Sequence, residues 1–220
     1  MTLAAIFDLD GTLVDSAAIC AAILNAMLTE RGAPAVLARA EVVPQLSAGG
    51  PQMVAALLGV YCGDPARDIA AFRARYAAMQ TPADSLYPEV RSGLNVLHRR
   101  GVRLGICSNK PQNLCEKVLG DLELASLFVT IVGGRPALPP KPAPDLLFQA
   151  MRQMGAAPAS TRFVGDSALD GACARAAGVT FLGVAYGYDA LDTPECHARF
   201  GDVVDALLQG AGAPAGAVAA

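Results

Sequence analysis

The chain has 220 residues, 53% hydrophobic and 17% charged, with a net charge of −3 and a sequence pI near 5.3. That length allows one large or two small globular units with a sizeable core, and the acidic balance excludes a basic surface for nucleic acid or anionic membrane. Residues 1–7 are apolar but lack a basic leader and are cut off by Asp8, and no window approaches about 18 uninterrupted apolar residues, so the sequence predicts a cytoplasmic protein with no membrane span.

The first predicted element is a strand over residues 3–7. It runs into AAIFDLDGTLVDS, residues 4–16, where an apolar run ends in two aspartates one residue apart, Asp8 and Asp10, followed by Gly11 and Thr12. Residues 16–81 show helical patterns at 18–31, 52–58 and 69–79, punctuated by Pro34, Pro44, Gly49-Gly50-Pro51 and Gly63-Asp64-Pro65, with no convincing strand. They predict a small all-α cap inserted after the first strand, with Thr81-Pro82-Ala83-Asp84 as the return linker.

Beyond it the rhythm changes. A helix over 90–99 is followed by a strand at 103–107, a helix at 112–119 and a strand at 128–132. A helix at 145–154, a strand at 162–164, a helix at 169–177 stopping at Gly178, and a strand at 179–184 complete the series. The apolar runs are continuous rather than alternating, as strands covered on both faces require. The fold class is therefore α/β: a Rossmann-like parallel sheet with helices on both faces, formed by residues 1–15 and 82–210, with the cap at 16–81 and a low-complexity flexible tail at 211–220. The six cysteines form no CxxC pair and match no zinc spacing, and read as reduced thiols, mostly in the core.

In an open parallel sheet, ligands bind beyond the carboxyl ends of the strands. The residues that follow successive strands are Asp8 and Asp10; Ser108 and Asn109; Lys141 beyond a Pro-rich loop; and Asp166 and Ser167 with Asp170 shortly after. Carboxylates gathered at one edge repel one another, and a divalent cation relieves that repulsion. Magnesium prefers such hard oxygen ligands and keeps waters that substrate oxygens can replace, whereas no imidazole or thiolate is present to favour zinc or copper. A phosphate bound there is neutralised by the metal and Lys141 and receives hydrogen bonds from Ser108 and nearby amides. Side chains alternate along a strand, so Asp8 and Asp10 diverge unless Gly11 re-aims the second. One carboxylate is then a nucleophile and the other a proton donor. Ser108 and Asn109 also suit a helix cap, and Gly49-Gly50-Pro51 suits either a substrate loop or a plain turn.

DLDGT at 8–12, CSNK at 107–110, KPAPD at 141–145 and GDSALD at 165–170 together resemble the four motifs of the haloacid dehalogenase-like hydrolase superfamily, and the resemblance runs from residue 3 to about 188. It implies a C1-type helical cap over a Rossmann-like core. It implies Asp8 as nucleophile and magnesium ligand, and Asp10 as acid/base whose backbone carbonyl also binds the metal. Ser108 and the Asn109 amide would bind the phosphoryl group, and Lys141 would hold Asp8 and the phosphoryl oxygens. Asp166 would be a metal ligand, with Asp170 and Ser167 behind it. Thr12 would orient Asp10 and, with Gly11, complete the phosphate loop. Gly49 and Gly50 would shape substrate choice. Asp10 stands where dehalogenases of this superfamily carry a non-acidic residue, which implies phosphate ester hydrolysis or phosphomutase chemistry. FDLDGTLVDS, LYPEVRSGL and GICSNKP look closest to phosphoglycolate phosphatase-like members, although Ala143 stands where that group usually has an acid.

The resemblance thus implies a magnesium-dependent phosphatase acting on a small phosphorylated metabolite through an aspartyl-phosphate, as a monomer or homodimer. The rivals are a β-phosphoglucomutase-like transferase, disfavoured by a cap without lysine or histidine, and a phospho-accepting signalling module, disfavoured by the early DLDGT and the insertion.

Overall fold

The computed structural model describes residues 3–33, 36–47, 49–189, 191 and 196–211. Six strands form one sheet: β1 (Ala4–Phe7), β2 (Arg103–Pro111), β3 (Phe128–Gly134), β4 (Thr161–Gly165), β5 (Thr180–Val184) and the short β6 (Cys196–His197). Their order is β3-β2-β1-β4-β5-β6, and every pairing is parallel. β1 is central and its four residues, AAIF, are all buried. The chain first builds outward from β1 through β2 to β3, then returns to β1's other side with β4. The strand order therefore reverses at β1, where such a sheet opens a crevice at its carboxyl edge.

The helices are α1 (Ala17–Glu30), α2 (Arg39–Leu46), α3 (Gly50–Leu58), α4 (Pro65–Ala78), α5 (Val90–Arg99), α6 (Gln112–Asp121), α7 (Asp145–Met154), α8 (Ala168–Ala177) and α9 (Phe200–Ala211). Alternation along β1 divides the core. Ala5 and Phe7 join a cluster with Leu94 of α5, Val118 of α6 and Val203 of α9. Ala4 and Ile6 face Leu147 of α7 and Ala174 of α8. Among the described residues, no helix is long and apolar enough to cross a membrane.

The α/β class and the predicted element order match this architecture. Helices α5 and α7 keep their predicted bounds, whereas β2 runs on from 107 to Pro111, where it pairs with Gly134 of β3 across a register shift. Three elements lie outside the sequence expectation. Helix α2 forms although Pro44 sits in its second turn, and it ends two residues later. Strand β6 and helix α9 close the sheet's far edge. Gly93 of α5 makes room for α9: a Cβ there would stand 2.7 Å from Val204 and 2.8 Å from Phe200. Ala211 ends α9, and the rest of the predicted tail, 212–220, lies outside the described residues.

Helices α1–α4 occupy the insertion after β1. Ile23 and Met27 of α1, Leu58 of α3 and Phe72 of α4 extend the same apolar cluster that contains Leu9 and Leu13. The two crossings of the chain run side by side: Asp15 N donates to Ser85 O at 2.7 Å, Tyr87 N donates to Leu13 O at 3.1 Å, and Val14 bridges Leu86.

Candidate active site

The carboxyl ends of β1, β2 and β4 meet at a cleft of about 630 Å³ beneath α3 and α4. The loop after β1 positions the first residues. Asp8 N continues the ladder to Val164 O at 2.9 Å, and the chain then turns tightly, with Val14 N on Leu9 O at 3.0 Å and Gly11 N on Val14 O at 2.9 Å. Gly11 has φ +83°, and a Cβ on it would stand 2.1 Å from Asp166 Oδ2, so only glycine fits. Its amide is already committed within the turn, so Gly11 shapes the loop rather than offering a phosphate donor.

Three buried carboxylates, Asp8, Asp166 and Asp170, place an oxygen each within 4.8 Å of one another. Lys141 lies against them, its Nζ 2.9 Å from Asp8 Oδ1 and 2.6 Å from Asp170 Oδ1, and it donates to Cys107 O at 3.3 Å. Burial opposes its charge, but Asp170 and Asp8 outweigh burial and hold the ammonium protonated well above the usual lysine range. Burial pushes the Asp8 carboxyl up to about 6 despite Lys141. Burial, then Asp8, pushes Asp166 up to about 7. The donor set suits a hard divalent cation: it is all oxygen, and burial raises the carboxyls of two of its members, a cost that a bound cation would offset.

Each neighbour has a traceable task. Asn109 clamps the Lys141 backbone, accepting from Lys141 N at 2.7 Å and donating from Nδ2 to Lys141 O at 3.0 Å. Its side chain is therefore spent on holding the lysine. Ser108 is buried on the cleft wall beside Asp8. Ser167 caps α8 and donates from Oγ to Asp170 Oδ2 at 2.6 Å, fixing that carboxylate from behind. Gly49 (φ +90°) and Gly50 line the opposite wall, where α3 begins.

The expected role of Thr12 changes here. Thr12 is fully buried and donates to Asp166 Oδ1 at 2.9 Å. It therefore orients Asp166, not Asp10, and its side chain has no face toward a bound phosphate. The Asp10 carboxylate lies outside the three-aspartate group. It takes Lys110 Nζ at 3.0 Å on both oxygens, while Lys110 also sits 4.0 Å from the ring centroid of Tyr76 on α4. Burial opposes the Lys110 charge, but Asp10 overcomes it and raises its pKa. Lys110 is the functional neighbour the sequence reading missed. Its signal was present: it closes the CSNK motif and is one of three lysines in the chain.

The chain belongs to the haloacid dehalogenase-like hydrolase family, whose model matches residues 5–184. It is a phosphatase of that family, a phosphoric monoester hydrolase. A phosphoglycolate phosphatase from Pseudomonas putida is 36% identical over 190 residues, 83% of this chain and 69% of that protein. Another from Rhodospirillum rubrum is 37% identical over 197 residues, 86% of this chain and 81% of that protein. The crystal structure of a predicted phosphoglycolate phosphatase from Haemophilus somnus superposes with a TM-score of 0.78 at 25% identity, covering 93% of this chain and 97% of that one.

Proposed function

We propose that this phosphatase hydrolyses a small phosphorylated metabolite, with 2-phosphoglycolate the best single candidate, using magnesium and an aspartyl-phosphate intermediate. The observation that carries the reading is Asp8 held at the end of the central strand, beside Lys141 and two further buried aspartates, on the wall of the cleft. Asp8 Oδ attacks phosphorus, the ester P–O bond breaks, and Asp10 delivers a proton to the departing alkoxide. Asp10 then takes a proton from water as that water attacks the phospho-Asp8, releasing phosphate and restoring the carboxylate. Ser108 and the Asn109 backbone amide donate to the phosphoryl oxygens. Lys141 spreads positive charge over them and over Asp8. Asp8, Asp166 and the Asp10 carbonyl would hold the cation, which would supply charge neutralisation at the phosphoryl group. Asp170 fixes Lys141, and Ser167 fixes Asp170. Lys110 holds Asp10 in place.

Residues 16–81 act as the cap and 1–15 with 82–210 as the catalytic core. Gly49 and Gly50 present the cap's substrate-facing turn. Closing that cap excludes water from the phosphoryl group and limits the substrate to small molecules. The proposal extends to a cytoplasmic enzyme, monomeric or homodimeric, with no nucleic-acid or membrane partner, and the net charge of −3 accords with the lack of a nucleic-acid partner. A phosphate-release panel of 2-phosphoglycolate, pyrophosphate, glucose phosphates and nucleotides, run with magnesium and with EDTA, tests this. One substrate well above the rest and lost in EDTA is expected. Release unaffected by EDTA, or no release from any compound, overturns it.

A further inference from the structure

The loop that follows β5 is not used by the chemistry above, yet it touches three parts of the enzyme at once. Tyr188 N donates to Asp166 Oδ2 at 2.9 Å. Beside it, a Cβ on Gly187 would stand 2.2 Å from Asp166 Cβ, so the loop backbone lies directly against that carboxylate. The Tyr188 hydroxyl accepts Ser16 N at 2.7 Å and lies 3.3 Å from Ser16 Oγ, 3.3 Å from Asp15 Oδ1 and 3.5 Å from Val14 O. Those residues are the outgoing crossing into α1. The return crossing is held by Tyr186, whose ring lies 4.7 Å from that of Tyr87 and whose hydroxyl donates to Thr12 O at 2.9 Å. Thr12 in turn holds the other oxygen of Asp166. Finally, Ser47, between α2 and α3 on the far cleft wall, donates to Asp189 Oδ1 at 2.5 Å.

We infer that residues 185–189 form a strap that couples the cation-binding carboxylate Asp166 to the hinge of the helical insertion, with Tyr188 as its positioning residue. The inference rests on the proposed cation site. Both oxygens of Asp166 are held by groups tied to the hinge, one through Tyr188 and one through Thr12 and Tyr186. A cation that fixes Asp166 therefore fixes the strap, and through the Tyr188 hydroxyl it fixes the segment that sets the angle of α1. Coupling of this kind is reciprocal: seating the insertion over substrate steadies Asp166. Tyr188 is suited to the task because its two ends are rigidly linked, the amide facing the carboxylate and the phenol facing the hinge.

The test is amide hydrogen exchange on the full chain with and without magnesium alone, in wild type and Tyr188→Phe. The phenylalanine keeps the amide on Asp166 and removes only the hydroxyl on the hinge. Magnesium is expected to slow exchange at residues 165–170 in both proteins. It is expected to slow residues 14–17 and 85–87 in wild type only. Steady-state kinetics give the second readout: KM for the best substrate rises about fivefold, as expected for one lost hydrogen bond, while kcat changes less than about twofold. Ser47→Ala raises KM yet keeps the hinge response to magnesium. A hinge response unchanged in Tyr188→Phe, or absent from wild type while 165–170 is protected, overturns the strap. No protection of 165–170 in wild type overturns the cation site and the strap with it.

Discussion

Asp68 in the helical insertion and Asp166 at the sheet edge are both buried carboxylates, and they are built to opposite ends. Asp68 takes a two-pronged grip from Arg31, at 3.0 and 2.6 Å, and the Gly63 amide at 2.9 Å. The Arg31 hydrogen bonds, then the Gly63 amide, hold it well below the usual carboxylate range. Asp166 has neutral donors on each oxygen, Thr12 and Tyr188, and other aspartates for neighbours. Burial therefore wins, and its carboxyl is pushed up to about 7. Matched charge makes a buried aspartate a tie between helices α1 and α4. Without a matched charge, Asp166 suits the proposed cation-binding role.

Asp8→Asn should show the contrast at its largest. It removes the nucleophile from the strained group, and turnover should fall by at least about a thousandfold while the fold is kept. Phosphate release and a melting curve on the same sample check both halves; activity near the wild-type level would end the assignment of Asp8.

Asp68→Asn should do the reverse. Losing the charge that holds Arg31 should cost about 2 kcal/mol of stability, because a hydrogen-bonded charge is lost rather than a solvated one. The folded fraction should keep kcat within about twofold. Urea unfolding with parallel assays separates the two, and a loss of kcat without loss of stability would erase the distinction.

Thr12→Val tests the corrected role of Thr12. It deletes the hydroxyl on Asp166 and leaves Asp10 untouched, so half-activating magnesium should rise about tenfold, the size typical of lost ligand orientation. A magnesium titration checks this; a change confined to kcat would return Thr12 to Asp10.

The smallest expected effect is in pH. Asp8 and Asp166 have folded values raised to about 6 and about 7 over an unfolded value near 4. Their contribution to stability is full below that unfolded value and is lost as pH rises through 6 to 7. The metal-free enzyme should therefore lose Tm between pH 5 and 8, and magnesium should restore it at pH 8. Asp68 runs the other way: its contribution is present at neutral pH and lost only in acid. A Tm that rises with pH in EDTA would contradict the raised carboxylates.

Much of this was legible in the chain. A continuous apolar run such as AAIF reads as a strand covered on both faces, and a carboxylate that follows it then lies at the sheet's carboxyl edge. Asp8, Ser108, Lys141 and Asp166 follow from four such edges. The helix after GDS was legible from its stop at Gly178, whereas the capping box between Ser167 and Asp170 that starts it came from the structure. Helix α2 was not legible, because Pro44 argues against a helix whose packing on α1 and α3 overrides it. Nor was α9, whose close seat depends on Gly93, more than a hundred residues away.

By itself, then, the sequence determined the parallel α/β class, five of the six described strands in their order along the chain, and which residues stand at the strand ends, because those depend on apolar periodicity and local turn chemistry. Only the tertiary structure decided their partners: that Thr12 serves Asp166, that Lys110 serves Asp10 under Tyr76, that Asn109 holds the Lys141 backbone, and that Tyr188 joins Asp166 to the hinge. Those pairings span 22 to 172 residues of chain. No local pattern encodes them, because each depends on where the packed elements bring two side chains within about 3 Å.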